Sequence, residues 1–244
     1  MNNRLFIEKI IKSASSYPNL TFSQKGAAYT CVNPYSYHII RKNTDLFDKM
    51  DGLFVDGILM CKMINLMWNT RTPRLSFDMS GMAVDLFERL NNNSENIYFI
   101  GSKQEELEAT LTQIINGFPN IHLAGYRNGF FNSPEERIKT ISNIVELNPN
   151  FVIVGMGSPL QEQFCLDLKN AGYKGIAFTC GGFLHQTANR LNYYPDWINK
   201  YNLRAFYRLF HEKGLWGRLY NVLIQFPILF TWDTIMTKLG KNNL

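Results

Sequence analysis

The sequence predicts an α/β protein with a mainly parallel sheet flanked by helices, followed by a helical C-terminal appendage. Two observations point to the sheet. Six short apolar runs alternate with segments of helical periodicity. Polar or glycine-rich turns close most of these runs, where a parallel strand hands over to a crossover helix. A third observation separates the appendage: from about residue 195 the strand-like runs stop and an aromatic, arginine-rich helical pattern takes over.

In chain order, strands are expected at 27–32 (AAYTCV), 52–55 (GLFV), 97–100 (IYFI), 121–124 (IHLA), 151–155 (FVIVG) and 175–179 (GIAFT). Helices are expected at 35–49, 57–67, 79–92, 103–116, 134–147 and 159–171. Ser133 and Pro134, followed by Glu135 and Glu136, supply an N-cap, a proline at the first helical position and first-turn acids. Ser158-Pro159 repeats that device, and Asp78 or Ser80 is expected to cap the helix over 79–92. A boundary near Tyr194-Pro195 divides the chain into an α/β domain, 1–194, and a helical appendage, 195–244.

With 244 residues, 45% of them hydrophobic and 18% charged, the chain can bury a substantial core and is not disordered. Charge is placed unevenly. Residues 1–189 hold 17 basic and 17 acidic side chains, whereas 190–244 hold 8 against 3, so the net +5 lies in the last 55 residues. That asymmetry suggests an anionic partner for the appendage. Cys31, Cys61, Cys165 and Cys180 form no C-x-x-C motif and read as reduced and buried, hence cytoplasmic. The first residues carry no continuous apolar signal core, and no run is long enough to span a bilayer.

Several chemistries are disfavoured. Neither G-x-G-x-x-G nor G-x-x-x-x-G-K-[ST] occurs, which weakens a dinucleotide enzyme or a P-loop NTPase. A G-x-S-x-G elbow and a D-x-D pair are both missing, and His38, His122, His185 and His211 lack metal-ligand spacing. No metal, cofactor or nucleic acid is implied.

In a parallel sheet, ligands lie beyond the carboxyl ends of the strands. Candidate residues there are Thr30 and Asn33, Asp56, Gly101, Tyr126 and Arg127 within GYRNG, Gly155 and Gly157, and Gly181 and Gly182. Each glycine is either an ordinary turn or a place where backbone approaches a ligand. Together they suggest a nucleotide site. Asp56, alone in LFVDGILM, either caps the helix that starts near Gly57 or does chemistry. Arg74 is either a surface arginine or a fork for an anion. Gln161 is either solvated or aimed at the strand ends.

The pieces VNPYSY (32–37), VDGI (55–58), RLSFDMSG (74–81), YFIGS (98–102), GYRNGFF (125–131), VGMGSPLQEQF (154–164), CGGFLHQTA (180–188) and YNLRAFYRLFHE (201–212) together resemble the WecG/TagA/CpsF family of bacterial glycosyltransferases. The resemblance implies a Rossmann-like fold and an enzyme that moves an N-acetylmannosamine-type or related sugar from a UDP donor. The implied acceptor is a sugar on a polyprenyl diphosphate, in cell-surface polysaccharide synthesis. It implies no bound metal and a C-terminal membrane-targeting appendage, so the protein is expected at the inner face of the cell membrane, against an anionic surface. Carried onto this chain, the resemblance makes Asp56 the general base, with Arg74, Gln161 and Arg208 beside it and Arg218 as a second appendage arginine. The family's Thr-x-Asn reads Cys31-Val32-Asn33 here, with Thr30 adjacent, and its Phe-Asp after the glycine pair reads Leu184-His185. A UDP-sugar epimerase and a non-catalytic membrane-associated nucleotide-sugar-binding protein are the competing readings, and homo-oligomerisation is left open. For the segment LYNVLIQFPILFTW (219–232), two placements stay open: a helix in the membrane interface, or a helix packed on the α/β domain.

Overall fold

The computed structural model describes residues 3–188, 190, 191, 195, 197, 198, 207 and 216–240, with only the backbone of Trp216 and Arg218. Six strands form one all-parallel sheet: β1 (Ala28–Val32), β2 (Gly52–Val55), β3 (Asn96–Gly101), β4 (His122–Arg127), β5 (Phe151–Gly155) and β6 (Ile176–Thr179). Their order is β2-β1-β6-β5-β3-β4. Each expected strand is present. β2, β5 and β6 are buried throughout, which explains their unbroken apolar runs. β4 runs three residues further than expected, so Gly125, Tyr126 and Arg127 belong to an edge strand and not to a loop.

Helices cover both faces. One apolar cluster takes in α1 (Asn3–Ser16), α2 (Tyr37–Lys42), α3 (Thr44–Lys49), α4 (Ile58–Trp68), α7 (Pro134–Leu147) and α8 (Leu160–Asn170). The other takes in α5 (Met82–Asn92), α6 (Gln104–Gly117) and α9 (Phe183–Thr187). Steps from β1 to β2, β4 to β5 and β5 to β6 all run one way along the sheet over the first face. The step from β3 to β4 runs the other way over the second, as a single crossover hand requires.

Local chemistry explains most boundaries. Ser133 caps α7, its hydroxyl accepting from the Glu136 N–H, with Pro134 in the first turn. The segment expected as one helix over 35–49 is two, because Asn43 (φ −132°, ψ 41°) leaves the helical region and donates through Nδ2 to the Ile39 carbonyl. Ser158 does not cap α8: Pro159 holds the N-cap position and no side chain caps it. Gly81 stands at the N-cap of α5, where a Cβ would come within 2.5 Å of the Ser76 carbonyl; Asp78 instead accepts from Ser80 N–H and Oγ–H in the preceding turn.

Helix α1 was not anticipated, although Phe6, Ile7 and Ile10 have helical spacing and are buried. It shields the edge of the sheet. β2 is an edge strand, and the Leu53 N–H donates to Ser13 Oγ of α1 at 2.9 Å.

After residue 215 come α10 (Trp216–Tyr220), a π-helical turn (Asn221–Gln225) and α11 (Phe226–Lys238). One face of α11 packs on α1 and α2, so the placement on the α/β domain holds for that face. Phe226 and Phe230 are buried against Tyr37. Between them and α2 lies a closed polar network. Asp233 accepts from Arg41 (Nε at 2.7 Å, Nη2 at 3.1 Å) and from Tyr37 Oη–H at 2.9 Å, while Asn3 Nδ2 donates to Thr234 Oγ1. Asp233 is 5% exposed and Arg41 33%, so the pair is partly screened. Asp233→Ala would leave Arg41 without its acceptor, while the Tyr37 hydroxyl keeps Asn3 Oδ1 at 3.0 Å. The expected loss of stability is about 2 kcal/mol, below the value for a fully buried pair, read by urea denaturation.

Candidate active site

Strand ends separate where adjacent strands are followed by helices on opposite faces. That happens on both sides of β6, which leads to α9 on one face while its neighbours β1 and β5 lead to the other. The turns after β1, β5 and β6 flank this crevice, and the turn after β2 lies one strand further out, beyond β1.

Asp56 follows the last residue of β2. Its N–H donates to the Val32 carbonyl at 2.8 Å, tying the ends of β1 and β2 together. Gly57 then turns with φ 109°, and a Cβ there would press on Pro34 Cδ at 3.0 Å. A glycine is needed on both counts. Gly57, and not Asp56, occupies the N-cap position of α4. The half-exposed Asp56 carboxylate acts on two thiols. Burial first, and Asp56 second, push Cys31 well above the usual thiol range and Cys61 up to about 12; Arg74 pulls Cys61 the other way. Cys61 therefore marks a place where the fields of Asp56 and Arg74 overlap.

Arg74 is brought there by its loop. The Leu75 N–H donates to the Val55 carbonyl at 2.9 Å, extending the edge of β2 by one main-chain bond. Arg74 Nη2 donates to Ser76 Oγ at 2.9 Å, and Ser76 Oγ donates to Asp78 Oδ2 at 2.6 Å. The guanidinium is thus oriented from one side by a serine–aspartate relay.

On the β6 side is a buried chain of polar groups. Thr179 Oγ1 and Thr30 Oγ1 are 2.6 Å apart, Thr30 donates to Glu162 Oε1 at 2.8 Å, and Gln161 Nε2 donates to the same oxygen at 2.9 Å. Gln161 and Glu162 are both buried in the first turn of α8, so Gln161 is aimed inward and not solvated. Gln161 Oε1, Glu162 Oε2 and Ser158 Oγ are buried with no partner among the described residues. Unpartnered buried acceptors are costly, and their concentration at a crevice fits a site shaped for a ligand rich in donors. Glu162 was not singled out from sequence; the only signal was its place directly after Gln161. Thr30 cannot stand in for Cys31, because successive strand residues face opposite sides of the sheet. Thr30 is committed to Glu162, whereas Cys31 lies on the side of Leu75 and Asp56.

The glycines divide into two kinds. Gly101 and Gly155 pack against the protein itself: a Cβ on Gly101 would lie 2.3 Å from the Gly155 carbonyl, and one on Gly155 would meet Leu184 and Cys180. Gly157 (φ 76°) and Gly181 (φ 54°) face open space. These two leave backbone accessible for an anion. Gly182 adjoins Gln186 and begins α9.

Other expected residues are spent elsewhere. Asn33 Oδ1 accepts from the Ser36 N–H at 2.9 Å, and the Asn33 N–H donates to Ser36 Oγ at 3.0 Å, so Asn33 shapes the turn into α2. Arg127 donates to Glu136 Oε1 at 2.7 Å and lies 4.2 Å over the Phe131 ring, which fixes it to α7 and away from β6. Tyr126 is exposed on the edge strand. Arg208 and the Arg218 side chain lie outside the described residues. At the mouth, on the second face, Glu106 accepts from Ser102 and pairs with His185 Nδ1 at 2.9 Å; the Ser102 bond leads in holding the Glu106 carboxyl below its usual range.

The pattern of these turns is matched by the family described as Glycosyl transferase WecG/TagA/CpsF family, over residues 13–240. The chain belongs to this family. It is a glycosyltransferase of the WecG/TagA/CpsF type. It is 32% identical to a UDP-Gal:alpha-D-GlcNAc-diphosphoundecaprenol beta-1,4-galactosyltransferase of Shigella boydii, across 97% of this chain and 100% of the relative. It is 27% identical to an N-acetylglucosaminyldiphosphoundecaprenol N-acetyl-beta-D-mannosaminyltransferase of Bacillus subtilis (strain 168), across 81% of this chain and 76% of the relative. In this WecG/TagA/CpsF chain the polar chain under the crevice is open to direct test. Thr30→Val removes a donor from a buried carboxylate while keeping the shape. Stability should fall by about 1–3 kcal/mol, seen as a lower denaturant midpoint at unchanged slope.

Proposed function

We propose that the protein transfers a hexose from a UDP donor to N-acetylglucosamine carried on a polyprenyl diphosphate, with inversion, with Asp56 as general base and without a metal. The observation that carries the reading is the position of Asp56. It follows the end of β2, one residue ahead of the α4 cap, and its N–H is bonded to the end of β1. The acceptor follows from the relatives, both of which name a GlcNAc-diphosphoundecaprenol substrate. Their donors differ. The relative that spans the whole chain names UDP-Gal, which favours a galactosyl donor over the N-acetylmannosaminyl donor first expected.

In this account the acceptor hydroxyl attacks the anomeric carbon as the bond from that carbon to the diphosphate oxygen breaks. The hydroxyl proton passes to the Asp56 carboxylate, and UDP departs with the bonding pair. Both relatives name a β product, which one displacement delivers from an α-linked nucleotide sugar. Arg74, with Arg208 and Arg218 from the 195–244 appendage, would balance the charge on the departing diphosphate, and the backbone around Gly157 and Gly181 would supply amides. Gln161 and Glu162 offer acceptors to sugar hydroxyls.

The protein would work peripherally at the inner face of the membrane. Among the described residues no helix is long and apolar enough to cross a bilayer. The outer face of α11 is apolar: Ile228, Trp232, Ile235 and Leu239 are exposed opposite Phe226 and Phe230.

Asp56→Asn keeps the shape and cannot take a proton. Turnover should fall by about 10²–10⁴-fold with UDP affinity nearly unchanged, measured by UDP release against a short-chain lipid-diphosphate-GlcNAc acceptor. Near-normal turnover would remove Asp56 from the chemistry, and donor isomerisation without acceptor would favour an epimerase. Activity should also persist in EDTA. Loss on chelation, restored by Mg²⁺ or Mn²⁺, would overturn the arginine-based account of the leaving group.

A further inference from the structure

We infer that α4 is a second membrane-contacting element, continuous with the outer face of α11, and that the two together turn the Asp56 end of the crevice toward an anionic bilayer. The inference rests on the transferase reading for its purpose, but its geometry stands apart from it.

Helix α4 is apolar on more than its buried side. Met60, Cys61 and Ile64 enter the core, yet Ile58 and Leu66 are exposed on the opposite face, Leu66 by 85%. With Lys62 they lie at i, i+4 and i+8, which puts them on one stripe. Leu59, Met63 and Met67 are half-buried beside it. A leucine almost fully open to water, on a helix whose flanks are also apolar, marks a surface built to be covered.

That stripe joins the outer face of α11. Lys238 Nζ, in the last turn of α11, donates to the Met67 carbonyl at 2.7 Å and lies 5.6 Å from the centre of the Trp68 ring. The end of α11 therefore rests on the end of α4. The α11 face contributes Ile228, Trp232, Ile235 and Leu239 with no charged group among them.

Charge selects the occupant. Residues 57–77, which include α4 and most of the loop after it, contain Lys62, Arg71 and Arg74 and no acid; Asp78, further along that loop, pairs with Arg74 at 3.6 Å. The single acid of α11, Asp233, is buried against Arg41. Lys62, Arg71 and Lys238 are exposed around the apolar stripes. Apolar side chains set among basic ones suit an anionic lipid surface. The α4 stripe begins two residues after Asp56 and runs about 12 Å along the helix. A bilayer that covers it brings lipid headgroups to the level of Asp56, where the diphosphate of a polyprenyl acceptor would lie.

The test uses the full chain and Leu66→Glu. Leu66 is open to water and makes no core contact, so the fold should persist. Trp232→Glu tests the α11 face, and Ile138→Glu, on the exposed side of α7, is the control. Co-sedimentation with phosphatidylglycerol-containing vesicles should weaken by roughly tenfold for Leu66→Glu and also for Trp232→Glu, and stay unchanged for Ile138→Glu. Turnover on a vesicle-embedded acceptor should fall in parallel, whereas turnover on a water-soluble short-chain acceptor and UDP binding should hold. Vesicle binding by Leu66→Glu equal to that of the unmodified protein overturns the inference. So does loss of turnover on the soluble acceptor, or a drop in oligomeric mass by light scattering, which would make the stripe an interface between copies. If the unmodified protein turns over neither acceptor, the transferase reading fails while the vesicle comparison still decides the role of α4.

Discussion

A carboxylate buried in the first turn of α8 obliges the strands beside it to supply donors. Glu162 is 1% exposed, and Thr30 of β1 and Gln161 of its own helix give it the hydrogen bonds that make its burial tolerable, with Thr179 of β6 bonded to Thr30 behind them. That requirement locks α8 against β1 and β6 at the place where the sheet must open. The glycine turns on either side of β6 can then leave backbone accessible at Gly157 and Gly181 without loosening the strands. The oxygens that remain unpartnered, Gln161 Oε1 and Glu162 Oε2, belong to the same turn of α8. Rigidity beneath the crevice and unmet acceptors within it have one source.

The Asp56 side is organised differently. Among the described residues no buried carboxylate anchors it. Two main-chain bonds do, from the Asp56 N–H to Val32 and from the Leu75 N–H to Val55. They hold the ends of β1 and β2 and the Arg74 loop in one layer. A side chain that exchanges protons needs a fixed position and contact with solvent, and main-chain anchoring supplies the first without removing the second. The crevice thus has a dry wall at β6 and a wetter wall at β2. Helix α4, which leads away from Asp56, carries its apolar stripe outward on the wetter side.

Helices α1 and α11 connect the termini of the chain to that arrangement. α1 covers the open edge of β2, and α11 lies on α1 and α2 through Phe226, Phe230 and the Asp233 network. The helix therefore has two apolar faces, one satisfied by the protein and one left outward. A helix in the membrane interface and a helix packed on the domain are compatible descriptions of its two sides.

The strands were legible because β2, β5 and β6 are buried on both faces, and a doubly buried strand must be an unbroken apolar run whatever surrounds it. Glycine turns at strand ends, the Ser133 cap and the apolar periods of α5 to α8 were legible for the same local reason. Asp56, Arg74 and Gln161 could be named as candidates from the motifs that surround them. Side-chain partners could not be read. Arg127 looked like a ligand contact at a strand end and is instead held by Glu136 and Phe131. Asn33 looked like a ligand contact and closes the turn to Ser36. Thr30 and Cys31 are neighbours in sequence but serve opposite faces of β1. Glu162 passed unnoticed because one of its donors, Thr30, lies far away in sequence on β1, and Thr30 is in turn bonded to Thr179 of β6. Local propensity and hydrophobic period act over a few residues, so the sequence by itself determined the elements and the residues at their ends. Which charges are neutralised, which acceptors are left over and which helix faces stay open depend on contacts between distant segments, and only the tertiary structure decided them.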